Sequence, residues 1–164
     1  MTEPITVMRS ELKHYLNTGT AEIPIWSQIN KGVVTATINW NPQIEDEAYI
    51  GDTSSTKFTT GLAPEMPMDM SAKKGDAAYD FVAALIWNQK IGADAETDLL
   101  TVDASAAQVA GAWPAKKQRV SVSYSSSGGD SIKPLKQGVT LQFMGEPEYG
   151  TYAPDTGTYT KDVG

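Results

Sequence analysis

Residues 75–92 read GDAAYDFVAALIWNQKIG, and this stretch decides how the rest of the chain must be arranged. Asp76 is suited to cap a helix, because its carboxylate can accept from amides of the first turn that have no partner inside the helix. Asp80 sits near the positive end of the helix dipole. Ala78, Phe81, Val82, Leu85, Ile86 and Gln89 recur at the three-and-four spacing of one buried stripe. Lys90 suits the negative pole, and Gly92 can adopt the left-handed conformation that ends a helix. The spacing predicts a helix over about 76–91. Its stripe is too apolar to face water, and the remaining chain reads as strands and turns, so the helix must lie on a sheet.

Outward from the helix, the strands follow period-2 alternation. Residues 65–71 (EMPMDMS) put Met66, Met68 and Met70 on one face and lead into the helix. Lys116 to Tyr124 places Val120, Val122 and Tyr124 on one side. Lys136 to Gly145 does the same with Val139, Leu141 and Phe143, and the two segments read as a long antiparallel hairpin about the turn SSSGGD. Shorter strands are expected at residues 13–17 and 99–102. Residues 33–40 form another, with Val34, Ala36, Ile38 and Trp40 sharing a face. Residues 23–26 (IPIW) carry a proline and suit an edge or a packed loop. Residues 104–115 show no decisive pattern. The expected fold class is mainly β: an antiparallel β-sandwich or barrel with one flanking α-helix and a long extended loop at about 43–64. The 164 residues are expected to form one domain, with an N-terminal arm over 1–11, a final short strand and loose end within residues 146–164, and the loose C-terminal tail itself over 153–164.

That loop, QIEDEAYIGDTSSTKFTTGLAP, gathers the acids Glu45, Asp46, Glu47 and Asp52 with the scattered apolar residues Tyr49, Ile50 and Phe58. A connection so long inside a compact domain is usually functional or disordered. Its Thr-rich middle could form a hairpin that leaves the body.

Composition narrows the chemistry. The chain has no cysteine, which removes disulfides, thiol nucleophiles and thiolate metal sites. No apolar run reaches the length of a membrane span, and the N-terminus lacks the apolar region of a secretory signal. A net charge of −7 disfavours binding to nucleic-acid phosphates. Plain solubility is its commonest meaning, and it also suits a surface past which DNA slides without sticking.

No catalytic constellation emerges. His14 is the only histidine and has no nucleophile spaced to use it, so it reads as a packed or surface side chain. The SSSGG turn lacks the strand–turn–helix context of a nucleophile elbow. Neither Glu45, Asp46, Glu47 and Asp52 nor Asp94, Glu96 and Asp98 matches a calcium loop, and both groups read as solvated acids. No cofactor and no metal is expected. Lys116, Lys117 and Arg119, with Lys133 and Lys136, make the one basic cluster. It is either a solvated sheet face or a contact for an acidic partner, such as the acidic loop of a second copy. Of the tryptophans, Trp40 and Trp87 fall on apolar or helical patterns and are expected in the core.

The order of the pieces resembles the major tail (tail tube) protein of long-tailed bacteriophages. The resemblance runs through LKHYLNTG, INWNPQIEDEAYIGD, TTGLAPEMPMDM, GDAAYDFVAAL, QRVSVSYSSSGGD and KQGVTLQFMGEPEYGTY, from about Leu12 to Tyr152. It implies a structural, non-enzymatic virion protein made in the bacterial cytoplasm. Six subunits would close into a ring, with strands lining the lumen. Rings would stack into the tube through which DNA is ejected, unbound, into the host. It also implies tape measure, tail terminator and distal tail or baseplate proteins as partners, with no membrane, and suggests a non-contractile tail. The extra immunoglobulin-like domain that some members carry is not expected here. The expected subunit interface is Glu45, Asp46, Glu47, Tyr49, Ile50, Asp52 and Phe58 on the loop, with Lys116, Lys117 and Arg119. The alternatives are a secreted β-sandwich carbohydrate-binding module, which would display aromatic rings on one face, and a small hydrolase, which lacks a base.

Overall fold

A computed structural model describes residues 3–163. Residues 1, 2 and 164, at the ends of the expected arm and tail, lie outside the described residues. Residues 3–8 run in no regular structure and are exposed, and a 3-10 turn at Arg9–Glu11 leads into the sheet.

Among the described residues ten strands and one α-helix follow in order: β1 (Leu12–Asn17), β2 (Trp26–Gln28), β3 (Val33–Ala36), β4 (Pro42–Glu47), β5 (Thr56–Leu62), β6 (Glu65–Ser71), α1 (Ala77–Trp87), β7 (Glu96–Asp103), β8 (Trp113–Gly128), β9 (Lys136–Ala153) and β10 (Thr158–Lys161). The main sheet runs β2-β1-β7-β8-β9-β6-β3, with β10 on β9, and every pair is antiparallel. It curls into a half-barrel. Its spine is the β8–β9 pair, whose strands run 16 and 18 residues, longer than alternation alone indicated. β4 and β5 form a separate two-stranded sheet.

The helix covers one face of the main sheet. Tyr79, Val82 and Leu85 pack on Leu16, Leu99, Val120, Val122, Val139, Leu141 and the three methionines Met66, Met68 and Met70. Each large side chain so buried contributes about 1.5–3 kcal/mol. The helix starts as its sequence dictates, with the Asp76 carboxylate accepting from the Tyr79 amide at 3.2 Å. It ends earlier than expected. Gln89, not Gly92, is the first residue past the helix to take a left-handed conformation (φ 52°), and Asn88 is the C-cap. A second cluster lies on the opposite face, at the far end of the sheet: Tyr15, Leu100, Val102, Ala115 and Tyr152, with Trp26, Trp113 and Tyr159 against them.

Two further expectations are corrected. The 33–40 strand is regular only over Val33–Ala36, with a lone bridge from Asn39 to Glu65 beyond it, and a register shift between Val33 and Ala36 breaks the alternation. Val33, Ala36 and Ile38 pack on the core, while Val34 is 99 % exposed. Trp87 and Trp40 are not in the core either, being 88 % and 45 % exposed. Trp87 closes α1 on the side facing away from the sheet, and Trp40 stands at the foot of the β4–β5 hairpin.

Candidate assembly surface

The expected loop of residues 43–64 is a hairpin, and it leaves the body of the molecule. Six residue pairs join β4 to β5, from Pro42 opposite Leu62 to Glu47 opposite Thr56. Every residue of β4 is exposed, as is nearly all of β5. Neither strand pairs with the main sheet. The hairpin is held at its foot, where the Ala63 amide donates to the Trp40 carbonyl and the Asn41 side chain donates to the Ala63 carbonyl, each at 3.1 Å. Its tip is ordered locally: the Tyr49 amide donates to the Asp52 carboxylate at 2.7 Å and the Asp52 amide returns to the Tyr49 carbonyl at 2.9 Å.

The structure therefore brings Glu45, Asp46, Glu47, Tyr49, Ile50, Asp52 and Phe58 together on one projecting element. Asp46 pairs with Lys57 at 3.8 Å, an exposed contact of little energetic weight. Ile44, Tyr49, Ile50 and Phe58 are all exposed. An isolated two-stranded hairpin is marginal in water, and unpaired strand edges beside exposed apolar side chains are what an association surface looks like.

Lys116, Lys117 and Arg119 are placed elsewhere, on β8, which has no pairing with the hairpin. Two of them meet acids of their own chain. Lys117 reaches Glu148 at 3.3 Å, and Arg119 lies 3.6 Å from Glu96 and 3.5 Å from Asp98. Glu148 also takes Lys161 at 3.3 Å. Burial would raise its pKa, but the two ammonium groups more than offset that, so it lies below its ordinary value. Lys116 turns to the other side of the sheet and lies over the Trp40 ring. Glu148 and the Glu96–Asp98 pair were invisible as partners in the sequence, because only strand register brings them opposite these cations.

On the half of the sheet that faces away from α1, the sheet presents a polar row. Glu65, Gln142, Ser121 and Glu96 stand opposite one another across β6, β9, β8 and β7. Gln142 donates to Glu65 at 3.2 Å. Thr140 and Ser123 continue the same face, as do Asp69, Asp98 and Arg119. Carboxylates outnumber the single guanidinium. Among the described residues no three acids or histidines gather as a metal centre.

The exposed tryptophans do not make a sugar platform. They sit on separate elements, and among the described residues no ring packs beside either. His14 is buried, with Nδ1 3.3 Å from the Thr101 hydroxyl and Nε2 without a partner. Burial first, then the charges of Arg9 and Lys116, lower its pKa to about 4, so it is neutral at pH 7.

No family model matches the sequence, and no curated protein sequence matches it. Solved structures do match in shape. The SPP1 tail tube superposes with a TM-score of 0.62 at 14 % identity, over 88 % of this chain and 78 % of that one. The chain has the tail tube fold. The tail of a gene transfer agent particle, solved with C6 symmetry, matches with a TM-score of 0.57 at 11 % identity, over 88 % of this chain and 98 % of the other. The native virion of such a particle contains a similar chain, at TM-score 0.57 and 9 % identity. The tail tube fold thus accounts for the half-barrel and its flanking helix.

Proposed function

We propose that this chain is the structural subunit of the tail tube of a long-tailed bacteriophage. Six copies close into a ring, rings stack, and the tube conducts DNA from the particle into the host. The observation that carries this reading is the combination of a tail tube fold with an exposed hairpin whose two strands pair with each other and not with the main sheet. A subunit of a closed ring meets its neighbour through two different surfaces, and a projecting hairpin supplies one of them.

The sheet's polar face then lines the channel and α1 lies outside. The row Glu65–Gln142–Ser121–Glu96, with Asp69 and Asp98 near it, offers DNA mainly carboxylates and hydroxyls. Phosphates are repelled from such a wall and no counterion release favours sticking. The role is structural rather than catalytic. The subunit resides in the virion after synthesis in the host cytoplasm. Tape measure, terminator and distal tail proteins are the partners such a tube needs.

Negative-stain electron microscopy of the concentrated protein, with sedimentation alongside, tests the reading. Rings or tubes with a central channel are the expected result. A species that stays monomeric, both alone and with the other tail proteins of its particle, would sink it.

A further inference from the structure

The half-barrel does not close. Between its two edges lies a cleft of about 820 Å³, lined on one side by Leu12, Lys13 and His14 of β1 and on the other by residues 33–37 of β3 and its continuation. The two walls differ. β2 pairs only with Tyr15, Leu16 and Asn17 of β1, but the outer edge of β1 at residues 12–14 is largely satisfied within the chain: the Leu12 amide donates to the Arg9 carbonyl, the Leu12 carbonyl accepts from the Arg9 guanidinium, and the His14 carbonyl accepts from the Ile29 amide. β3 is the last strand of the sheet, paired on one side alone. The slot thus has one open strand edge, that of β3, and an unpaired edge of this kind is a template for an added strand.

The slot's charge is one-sided. No acid lines it. The Arg9 guanidinium spans its mouth, donating to the Leu12 carbonyl at 2.6 Å and the Ala36 carbonyl at 2.8 Å, and among the described residues it pairs with no carboxylate. His14, 97 % buried, contributes the one buried side-chain polar atom that lacks a hydrogen-bond partner among the described residues. The β4–β5 hairpin has the complementary character. It is extended, each of its strands has an unpaired outer edge, and among the described residues Glu45, Glu47 and Asp52 meet no cation.

We propose that the cleft between β1 and β3 receives the acidic β4 edge of the hairpin from a second copy of this chain. The docked strand extends the main-chain pairing of β3, and its carboxylates approach Arg9 on the β1 side. This inference rests on the reading of the chain as a self-assembling subunit, and names the surface into which the hairpin fits.

The absence of cysteine gives a clean test. One variant carries Glu45→Cys on the hairpin, a second carries Thr35→Cys in the cleft wall, and a control carries Ser123→Cys on the polar sheet face. Mixed pairs are assembled, checked for tubes by microscopy, and then oxidised. The expected result is a disulfide-linked dimer from the Glu45→Cys and Thr35→Cys pair, at least tenfold more abundant than from Glu45→Cys with Ser123→Cys. Tubes that form but give no excess over the control overturn the cleft as the docking surface while leaving self-assembly intact. Failure of the unmodified protein to assemble, both alone and with the other tail proteins of its particle, overturns both. A charge swap supplies a second readout: Arg9→Glu should raise the concentration needed for assembly at least tenfold, and Glu45→Lys with Glu47→Lys on the same chain should recover it. Because Arg9→Glu could disturb folding by itself, its circular dichroism is compared with the parent, and the disulfide experiment stands without it.

Discussion

The ammonium of Lys116 lies 5.1 Å from the centre of the Trp40 ring, which joins the sheet body to the foot of the hairpin. Lys116 belongs to β8, in the spine of the half-barrel, while Trp40 immediately precedes the turn into β4. A half-exposed contact of this kind contributes about 0.5–1 kcal/mol. Its main effect is on the direction in which the hairpin leaves. Trp40→Ala should therefore lower unfolding stability by no more than about 1 kcal/mol in urea titration, yet slow assembly severalfold in light scattering. A loss of several kcal/mol with normal assembly would mean that Trp40 supports the core instead.

The hairpin acids lead to a second expectation. Glu45, Asp46 and Glu47 are exposed, and the one ion pair among them is surface-screened. Replacing all three with lysine should leave the melting temperature nearly unchanged and should abolish or strongly weaken assembly. Variants that polymerise like the parent would remove the hairpin from the interface.

The parts of this fold that were legible in the sequence are those fixed by short-range chemistry. The β8–β9 spine at residues 120–124 and 139–143 and the methionine strand show alternation, since one side of each is buried beneath α1. The start of α1 was legible because the Asp76 cap is local. Its end was not: both Gln89 and Gly92 take positive φ, and which one stops the helix depends on how the chain turns toward β7. The alternation at residues 33–40 misled because a bulge flips the faces between Val33 and Ala36. Trp40 and Trp87 misled for a different reason. An apolar residue on a periodic pattern signals burial, but the pattern is the same whether the covering surface belongs to the same chain or to a neighbour. The hairpin was legible as an acidic, Thr-rich departure from the body. The cleft between β1 and β3 was not, because it exists only through the curl of the sheet.

Acid should weaken the fold through His14. Folding lowers its pKa from 6.5 to about 4, chiefly by burial and then by the charges of Arg9 and Lys116, with only the Thr101 hydroxyl at Nδ1. Between those values the unfolded chain binds the proton and the folded chain does not. The neutral imidazole's contribution is therefore fully present above pH 6.5 and is lost as the pH falls toward 4. A shift of this size corresponds to about 3 kcal/mol. Urea titrations of the dilute protein at pH 7 and pH 4.5 should differ by a large part of it. His14→Asn should flatten the slope across that window, and an unchanged slope would mean that other groups titrate there.

Gly150 is the position where the smallest change should have a localised effect. It stands in β9 between Ala115 of β8 and Lys161 of β10. A Cβ there would run into the Thr160 carbonyl and the Tyr159 ring. Neither can yield easily, since the first is backbone and the second is fixed by its hydroxyl donating to the Glu148 carbonyl at 3.0 Å. Gly150→Ala should therefore cost about 1–3 kcal/mol, limited by the ease with which β10 can peel away. Once β10 lifts, the Lys161–Glu148 pair at 3.3 Å goes with it. Burial, then the Glu148 charge and hydrogen bond, raise the Tyr159 phenol in the intact protein, so its titration should fall toward the ordinary tyrosine value in the variant. Amides of residues 158–161 should exchange with solvent much faster, while those of β7 and β8 keep their protection. Uniform loss of protection across the sheet would show instead that β10 is part of the cooperative core.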